Sequence, residues 1–243
     1  MKKSLVTAGA FLCLIFGVKA DFTRTMVCRW TFNAAGEAKA LTDDVSGFKL
    51  IKTGAGKDQT MLFNKGMVEL GSGTMLAVYE INSNSEKFSG LKDKITIWMR
   101  FKFASKPNTF FMGLLDSDKP ADWGQQTFTA MVSDKEQLRL FATNSQKKHF
   151  GFGSKQPIIK ENEFVTLAIC YDRSKKTVTI ITNDKAETKN FNEADALASF
   201  RCLAVGKLKV HLGLKIVIDE LRVYNSIVPP EWISEIEPVK ESE

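Results

Sequence analysis

Apolar and polar residues alternate along most of this chain, and this pattern predicts an all-β fold. In the segment 94–103 every second side chain is apolar, from Ile95 to Phe103. A period of two places one set of side chains on each face of a β-strand. The same pattern predicts further strands over residues 26–32, 67–70, 76–79, 109–115, 127–132, 137–142, 163–171, 176–182 and 216–224.

Helical periodicity is almost absent, and one short helix is predicted near the C-terminus. It begins at Pro229-Pro230, where proline suits the first helical turn. Many short strands separated by turns indicate a two-sheet antiparallel jelly-roll sandwich. Because no low-complexity linker or repeat divides the chain, we predict one domain over residues 21–238 and a polar tail over residues 239–243.

The first 20 residues have the pattern of a signal peptide. Lys2 and Lys3 precede an apolar run over residues 6–18, and Val18-Lys19-Ala20 has the small residues of a cleavage site. The apolar run is too short to span a bilayer. We therefore expect a secreted or periplasmic protein with no membrane insertion after cleavage, and the alternative is an uncleaved N-terminal anchor.

Net charge argues against two classes of partner. The chain of 243 residues carries +6, but Lys2, Lys3 and Lys19 supply three of these charges, which leaves +3 for the rest. This balance, with no polybasic run, does not favour nucleic acid or membrane surfaces as partners.

Four cysteines are present, and three remain after the predicted cleavage: Cys28, Cys170 and Cys202. An odd number leaves at least one thiol outside any intramolecular disulfide. Because all three have apolar neighbours, buried free thiols are favoured over a disulfide.

Four blocks, in order along the chain, resemble the concanavalin A-like lectin/glucanase superfamily, specifically its bacterial laminin G-like branch. They are Trp30-Thr-Phe-Asn33 with Asp43-Asp-Val-Ser-Gly47, then Ile95-Thr-Ile-Trp-Met-Arg100, the hairpin 164–184, and the closing strand 218–225 with Pro230-Glu-Trp-Ile233. The hairpin departs from the branch, since Phe164-Val165 replaces Trp-His and Thr182-Asn-Asp184 replaces Val-Asp-Gly. The resemblance implies a jelly roll, but this superfamily includes lectins, adhesion modules, glycanases and lyases, so function depends on the site.

The sequence favours a binding protein over an enzyme, because no catalytic pattern of the superfamily is present. Its glycanases carry a Glu-x-Asp-x-Glu-like run on one strand, and the closest spacing here is Glu193-Ala-Asp195, in a predicted loop or short helical turn. His149 and His211 are interpreted as surface or packed histidines. A glycoside hydrolase or polysaccharide lyase with dispersed catalytic residues stays the alternative.

The loop over residues 116–126 is the first candidate binding site. It combines Asp116, Asp118, Asp122, Trp123 and Gln125. An indole ring can stack on the apolar face of a sugar, and carboxylates and amides can bond its hydroxyls. The alternative is that Trp123 folds back onto the edge of the sandwich.

The polar face of the segment 94–103 is the second candidate. Trp98 and Arg100 share this face with Thr96 and Lys102, so they form a ligand platform if the face is open. Packing is the alternative for Trp98, because the resembling family also has a tryptophan here.

Asp219 lies in the apolar closing strand, where strict alternation places it on one face with Val217 and Leu221. A buried carboxylate must be neutralised or richly hydrogen-bonded. The resemblance implies a structural Ca²⁺ with Asp219 as side-chain ligand and carbonyls of residues 33–36 or of the Asp43-Asp44 turn. The alternative is an aspartate that accepts bonds from backbone N–H groups.

These expectations combine into one functional hypothesis, an exported non-catalytic module that recognises carbohydrate or another extracellular ligand. A glycan-active enzyme and a protein-binding adhesion domain are the alternatives. The sequence leaves the oligomeric state open.

Overall fold

Two antiparallel β-sheets pack face to face and enclose one large apolar core. The computed structural model describes residues 24–34, 36–54, 61–71, 73–105, 109–116, 126–154, 157–183, 185–190, 197–206 and 215–233. The predicted all-β, two-sheet sandwich is confirmed. The predicted signal peptide and polar tail lie outside the described residues.

We call the two sheets A and B and give the strands of each, within the described part of the chain, in their spatial order. Sheet A runs β13 (Lys185–Asn190), β12 (Thr177–Thr182), β11 (Val165–Asp172), β6 (Lys94–Phe103), β15 (Ile216–Tyr224), β4 (Met67–Leu70) and β3 (Leu62–Asn64), and β1 (Met26–Trp30) also pairs with β15. Sheet B runs β10 (His149–Gly153), β9 (Leu138–Thr143), β8 (Gln126–Val132), β7 (Thr109–Leu115), β14 (Cys202–Gly206), β5 (Met75–Val78) and β2 (Ile51–Thr53).

Aromatic side chains from both sheets meet in the core. Phe101 of sheet A stacks on Phe111 of sheet B with ring centroids 5.0 Å apart, and Phe103 packs edge-on against both rings. All three rings are fully buried. The alternating apolar face of β6 therefore joins the two sheets, as its pattern predicts.

Helices are short in the described residues. They are α1 (Glu37–Ala40), a 3₁₀ helix (Glu86–Lys92) and α2 (Pro230–Ile233). The predicted C-terminal helix is confirmed as α2, with Pro230 at its first position. No helix in the described segments is long and apolar enough to cross a membrane.

The sequence pattern does not predict five of the observed strands, β2, β3, β10, β13 and β14. β13 reads Lys-Ala-Glu-Thr-Lys-Asn and β10 reads His-Phe-Gly-Phe-Gly. β13 lacks the β-branched and aromatic alternation from which a strand is recognised, and in β10 glycine, which is depleted in strands, separates the two phenylalanines. Both are edge strands, since each pairs with a single neighbour among the described strands.

A β-bulge at Asp219 corrects the predicted faces of β15. Ile218 is opposite Phe101 and Glu220 is opposite Arg100, so Asp219 is an extra residue on β15. An extra residue shifts the alternation by one position. The core consequently receives Ile216 and Ile218 before the bulge, and Leu221 and Val223 after it. The prediction that Val217, Asp219 and Leu221 share a face is wrong.

Replacing Leu221 by alanine tests this face assignment. Leu221 is fully buried, so Leu221→Ala should lower the free energy of unfolding by about 3–5 kcal/mol, through lost burial and a cavity. The matched control is Leu62→Ala, because Leu62 is 53% exposed. Chemical denaturation measures both, and similar small losses would show that Leu221 does not face the core.

Candidate functional site

Trp98 is a packing residue, which corrects the expectation that it forms an open ligand platform. Its side chain is fully buried in a second apolar cluster on the outer face of sheet A. The chain between β15 and the end of α2 contributes Val228 and Ile233 to this cluster. The guanidinium carbon of Arg222 also lies 4.7 Å from the Trp98 ring centroid. A ligand cannot reach the ring.

Beside Trp98, the outer face of sheet A carries a buried charge cluster. Glu220 is 2% exposed, and its Oε1 accepts hydrogen bonds from Nε of Arg29 at 2.6 Å and Nε of Arg222 at 2.7 Å. Burial by itself lowers the pKa of Arg222, but the hydrogen bond and charge of Glu220 raise it above its usual value. Burial raises the pKa of the neighbouring Tyr224. Two guanidinium groups thus pair with one buried carboxylate.

Arg100 forms an ion pair with Asp219. This pair explains how the apolar strand β15 accommodates a carboxylate. The Arg100 guanidinium donates a hydrogen bond to Oδ2 of Asp219. The side chains are 27% and 17% exposed, respectively. Because the bulge turns Asp219 away from the core, its partner comes from the facing residue on β6. Arg100 also lies 4.4 Å from the ring centroid of Phe164.

Calcium at Asp219 stays a prediction. In the described part of the chain the guanidinium of Arg100 lies against this carboxylate, and no group of three or more His, Cys, Asp or Glu could hold a metal ion. The backbone carbonyls of the expected site are not tested by this observation. Calcium needs about six to eight oxygen ligands.

Asp43, on the turn that the resemblance singled out, has a structural role. Its Oδ1 accepts hydrogen bonds from the backbone N–H groups of Val45 and Ser46, each at 2.8 Å, and its Oδ2 accepts one from Phe48. Asx turns of this kind fix the chain locally.

Of the loop over residues 116–126, only the first residue and the backbone of Gln126 are described. Asp116 follows β7 and lies 3.3 Å from Nε of Arg201, with both side chains nearly half exposed. Asp118, Asp122, Trp123 and Gln125 lie outside the described residues, so their binding role stays a prediction.

The histidine and cysteine interpretations have different outcomes. His149 is exposed on β10, and its Nδ1 is 2.9 Å from Oγ1 of Thr143. His211, Glu193 and Asp195 lie outside the described residues. Cys28, Cys170 and Cys202 are buried free thiols, as predicted. Burial raises the pKa of Cys170 to about 11, which disfavours the reactive thiolate.

The structure reveals a further candidate at one side of the sandwich. It extends from the space between the edge strands β10 and β13 to the connection over residues 157–164 and the end of β12. We name this opening the side groove. Its first cavity, the Phe164 cavity, has a volume of about 240 Å³. The lining residues are Pro157, Ile158, Lys160, Glu163, Phe164, Val165, Thr182, Asn183 and Lys185.

The walls of the Phe164 cavity are held by backbone contacts. The wall over residues 157–164 crosses from sheet B to sheet A, and the backbone N–H of Asn162 donates to the Phe103 carbonyl at 2.7 Å. The opposite wall is the turn at Asn183, whose Oδ1 accepts a hydrogen bond from Thr166 N–H at 3.1 Å. Lys102 adds a second cation 4.9 Å from the centroid of the Phe164 ring. The cavity therefore combines an aromatic ring, an amide and cationic groups on fixed elements.

The second cavity continues along β13, and we name it the Phe152 cavity. It measures about 410 Å³ and is lined by Phe152, Gly153, Glu187, Thr188 and Lys189. Nζ of Lys189 reaches across to β10, at 3.4 Å from the Gly151 carbonyl and 5.7 Å from the Phe152 ring centroid. Lys185 and Glu187, which line successive cavities, are two residues apart on one strand.

The pairing of β13 explains why charged side chains face this opening. Lys185 and Lys189 are opposite Thr182 and Val178 on β12, and Val178 belongs to the core face. Every second side chain of β13, from Lys185 through Glu187 to Lys189, therefore lies on the side of the strand that faces sheet B. Inward-pointing charges on an edge strand also discourage pairing with other chains, so this pattern has a structural function irrespective of any ligand.

The side groove was not predicted from the sequence. Two patterns in the sequence belong to it, the Lys-x-Glu-x-Lys spacing at 185–189 and the Phe-Gly-Phe-Gly alternation at 150–153. Neither pattern shows that β10 and β13 lie side by side, because the two strands belong to different sheets.

Comparison with known proteins shows the fold alone. No family model and no curated protein matches this chain. Among solved structures, it is similar to the binding domain of botulinum neurotoxin DC in complex with rat synaptotagmin II, with 10% identity and a TM-score of 0.66 over 88% of this chain. It is also similar to the botulinum neurotoxin serotype D ligand binding domain in complex with N-acetylneuraminic acid, with 10% identity and a TM-score of 0.64 over 89% of this chain.

The chain spans about half of these neighbours, 51% of the length of each. The neighbours support the jelly-roll assignment of the two-sheet sandwich. Their ligands were observed in binding domains about twice as long as the matched region.

We predict that the Arg100–Asp219 pair stabilises the fold. Asp219→Asn should lower the free energy of unfolding by about 1–2 kcal/mol, because a partly buried arginine loses a charged acceptor. The control is Asp93→Asn, since Asp93 pairs with Arg173 at 2.7 Å and both side chains are almost half exposed. An exposed pair should contribute less than about 1 kcal/mol. Equal losses for the two variants would contradict a special role for Asp219.

The same variants test the calcium prediction. A bound ion raises the melting temperature by mass action. If calcium raises the melting temperature of the wild type above its value in chelator, and does not do so for Asp219→Asn, the prediction holds. Equal melting temperatures of the wild type in calcium and in chelator would contradict it.

Proposed function

We propose that this chain is an exported, non-catalytic binding module of laminin G-like type that recognises carbohydrate through the side groove. Export rests on the signal-peptide pattern of residues 1–20. The binding role is supported by the jelly-roll fold, which it shares with solved receptor-binding domains. The absence of the paired-carboxylate sequence run of the superfamily's glycanases favours binding over hydrolysis.

One observation carries the choice of carbohydrate, which is the composition of the side groove. Its two cavities each present a half-buried phenylalanine, Phe164 or Phe152, beside side chains that donate and accept hydrogen bonds. Sugars offer apolar C–H faces and many hydroxyls, so such a mixed lining suits them. The fixed walls reduce the entropy that is lost on binding.

The structural neighbours bind two kinds of ligand. One neighbour is in complex with N-acetylneuraminic acid and another with a protein receptor, rat synaptotagmin II. We favour carbohydrate for this chain because the exposed edge of the groove carries charged lysines. Lysines on an edge strand oppose the addition of a peptide strand.

A glycan array with wild type and Phe164→Ala tests the proposal. We expect the wild type to bind a defined set of glycans. Removing the ring should weaken that binding about threefold to tenfold, since an aromatic contact contributes roughly 0.5–1.5 kcal/mol.

Two further variants show which surface of the protein binds the glycan on the array. Phe141→Ala is the matched control, because Phe141 is 42% exposed on the outer face of sheet B and lines neither cavity. Trp123→Ala tests the loop over residues 116–126 in the same experiment. Loss of binding only in Trp123→Ala would move the site to that loop, and no glycan signal in the wild type would overturn the carbohydrate proposal. Release of shortened products would favour the glycan-active enzyme.

A further inference from the structure

The two cavities of the side groove lie one after the other along β13, so together they extend along this strand. Lys185 lines the Phe164 cavity, and Lys189 lines the Phe152 cavity. At about 3.3 Å per residue, four residues of β13 span roughly 13 Å. This distance exceeds the width of one sugar ring, so a ligand that contacts both cavities must be a chain of sugars.

Cationic side chains recur along this length. The described lining includes Lys160, Lys185 and Lys189 against Glu163 and Glu187. Lys102 adds positive charge next to the ring of Phe164, whereas the charge of Arg100 is neutralised by Asp219. The lining itself therefore holds three lysines and two glutamates. The positions of the lysines at both cavities distribute the excess along the groove.

The two carboxylates do not cancel the lysines locally. Glu163 is paired only loosely, with Lys160 Nζ 3.5 Å from its carboxylate and both side chains about 60% exposed. Glu187 sits between Lys185 and Lys189 on the same side of β13, and it is less exposed than either of them. At the Phe152 cavity an anionic group therefore meets the exposed Lys189 before the less exposed Glu187, and at the Phe164 cavity the exposed Lys185 accompanies the Lys160–Glu163 pair.

From this geometry we infer that the side groove binds a linear acidic oligosaccharide, aligned along β13 with one sugar at Phe164 and another at Phe152. Lys185 and Lys189 bind its carboxylate or sulfate groups, and Asn183 donates to its hydroxyls. This inference rests on the proposed carbohydrate function and adds the charge, the linear form and the orientation of the ligand.

Binding of matched oligosaccharides to the full chain tests the inference. The probes are polygalacturonate fragments for carboxylate groups, heparin fragments for sulfate groups and laminarin fragments as neutral chains, each as monomer, dimer and tetramer. Calorimetry should detect acidic chains, with affinity rising from monomer to tetramer because only longer chains reach both cavities. Higher salt should weaken the binding, since exposed charges are screened.

Variants locate the site. Lys185→Gln and Lys189→Gln should each weaken the acidic tetramer about fivefold or more, which corresponds to roughly 1 kcal/mol. Lys39→Gln is the control, because Lys39 is exposed on α1, outside the groove. Unchanged melting temperatures show that all three variants fold.

The outcomes distinguish failure of the acidic, linear ligand from failure of the proposed carbohydrate function. Binding of neutral chains that the lysine variants do not change leaves the carbohydrate function in place and overturns the acidic class. Equal affinity for monomer and tetramer overturns the linear arrangement. Polyglutamate that binds as tightly as the acidic tetramer, with the same loss in the variants, shows a general anion surface and overturns the saccharide inference. No binding of any saccharide overturns the proposed function itself.

Discussion

Two sheets that pack face to face leave the sides of the sandwich open, and the side groove is a consequence of this constraint. On that side, β10 and β13 end their respective sheets, and the apolar core between them must be screened from solvent and from other chains. Phe150 and Phe152 pack partly against the core, while Lys189 reaches across to the Gly151 carbonyl. Protection of an edge and provision of a polar, aromatic groove are thus achieved by the same side chains.

The buried charged residues of sheet A stabilise the fold and are not part of the side groove. The bulge at Asp219 adds one residue to β15, so the apolar positions on both sides of it reach the same core. Arg100 then neutralises Asp219, and Arg29 with Arg222 neutralises Glu220. Each carboxylate is balanced by guanidinium groups from neighbouring positions, as an ion in a protein interior requires. These contacts hold β15 in place and assign no ligand to it.

The sequence predicts the long central strands and fails at the edges and at the site, for physical reasons. β6 has ten residues with regular alternation, so both its identity and its core face follow from the pattern. The burial of Trp98 does not follow from the sequence, because a local pattern does not show that the chain after β15 covers the outer face. The bulge at Asp219 leaves no sequence mark, and the groove joins β10 and β13, which are 32 residues apart from the end of one to the start of the other.

The central claim is that ligand recognition occurs at the open side between β10 and β13. Hydrogen exchange of backbone amides, with and without a saturating acidic tetrasaccharide, tests it most directly because it maps the bound surface without any substitution. We predict slower exchange on binding over residues 149–153, 157–165 and 182–190, with no change in β2 and β3 on the opposite side. Protection confined to β2 and β3, or to residues 116–126, would contradict recognition at the side groove.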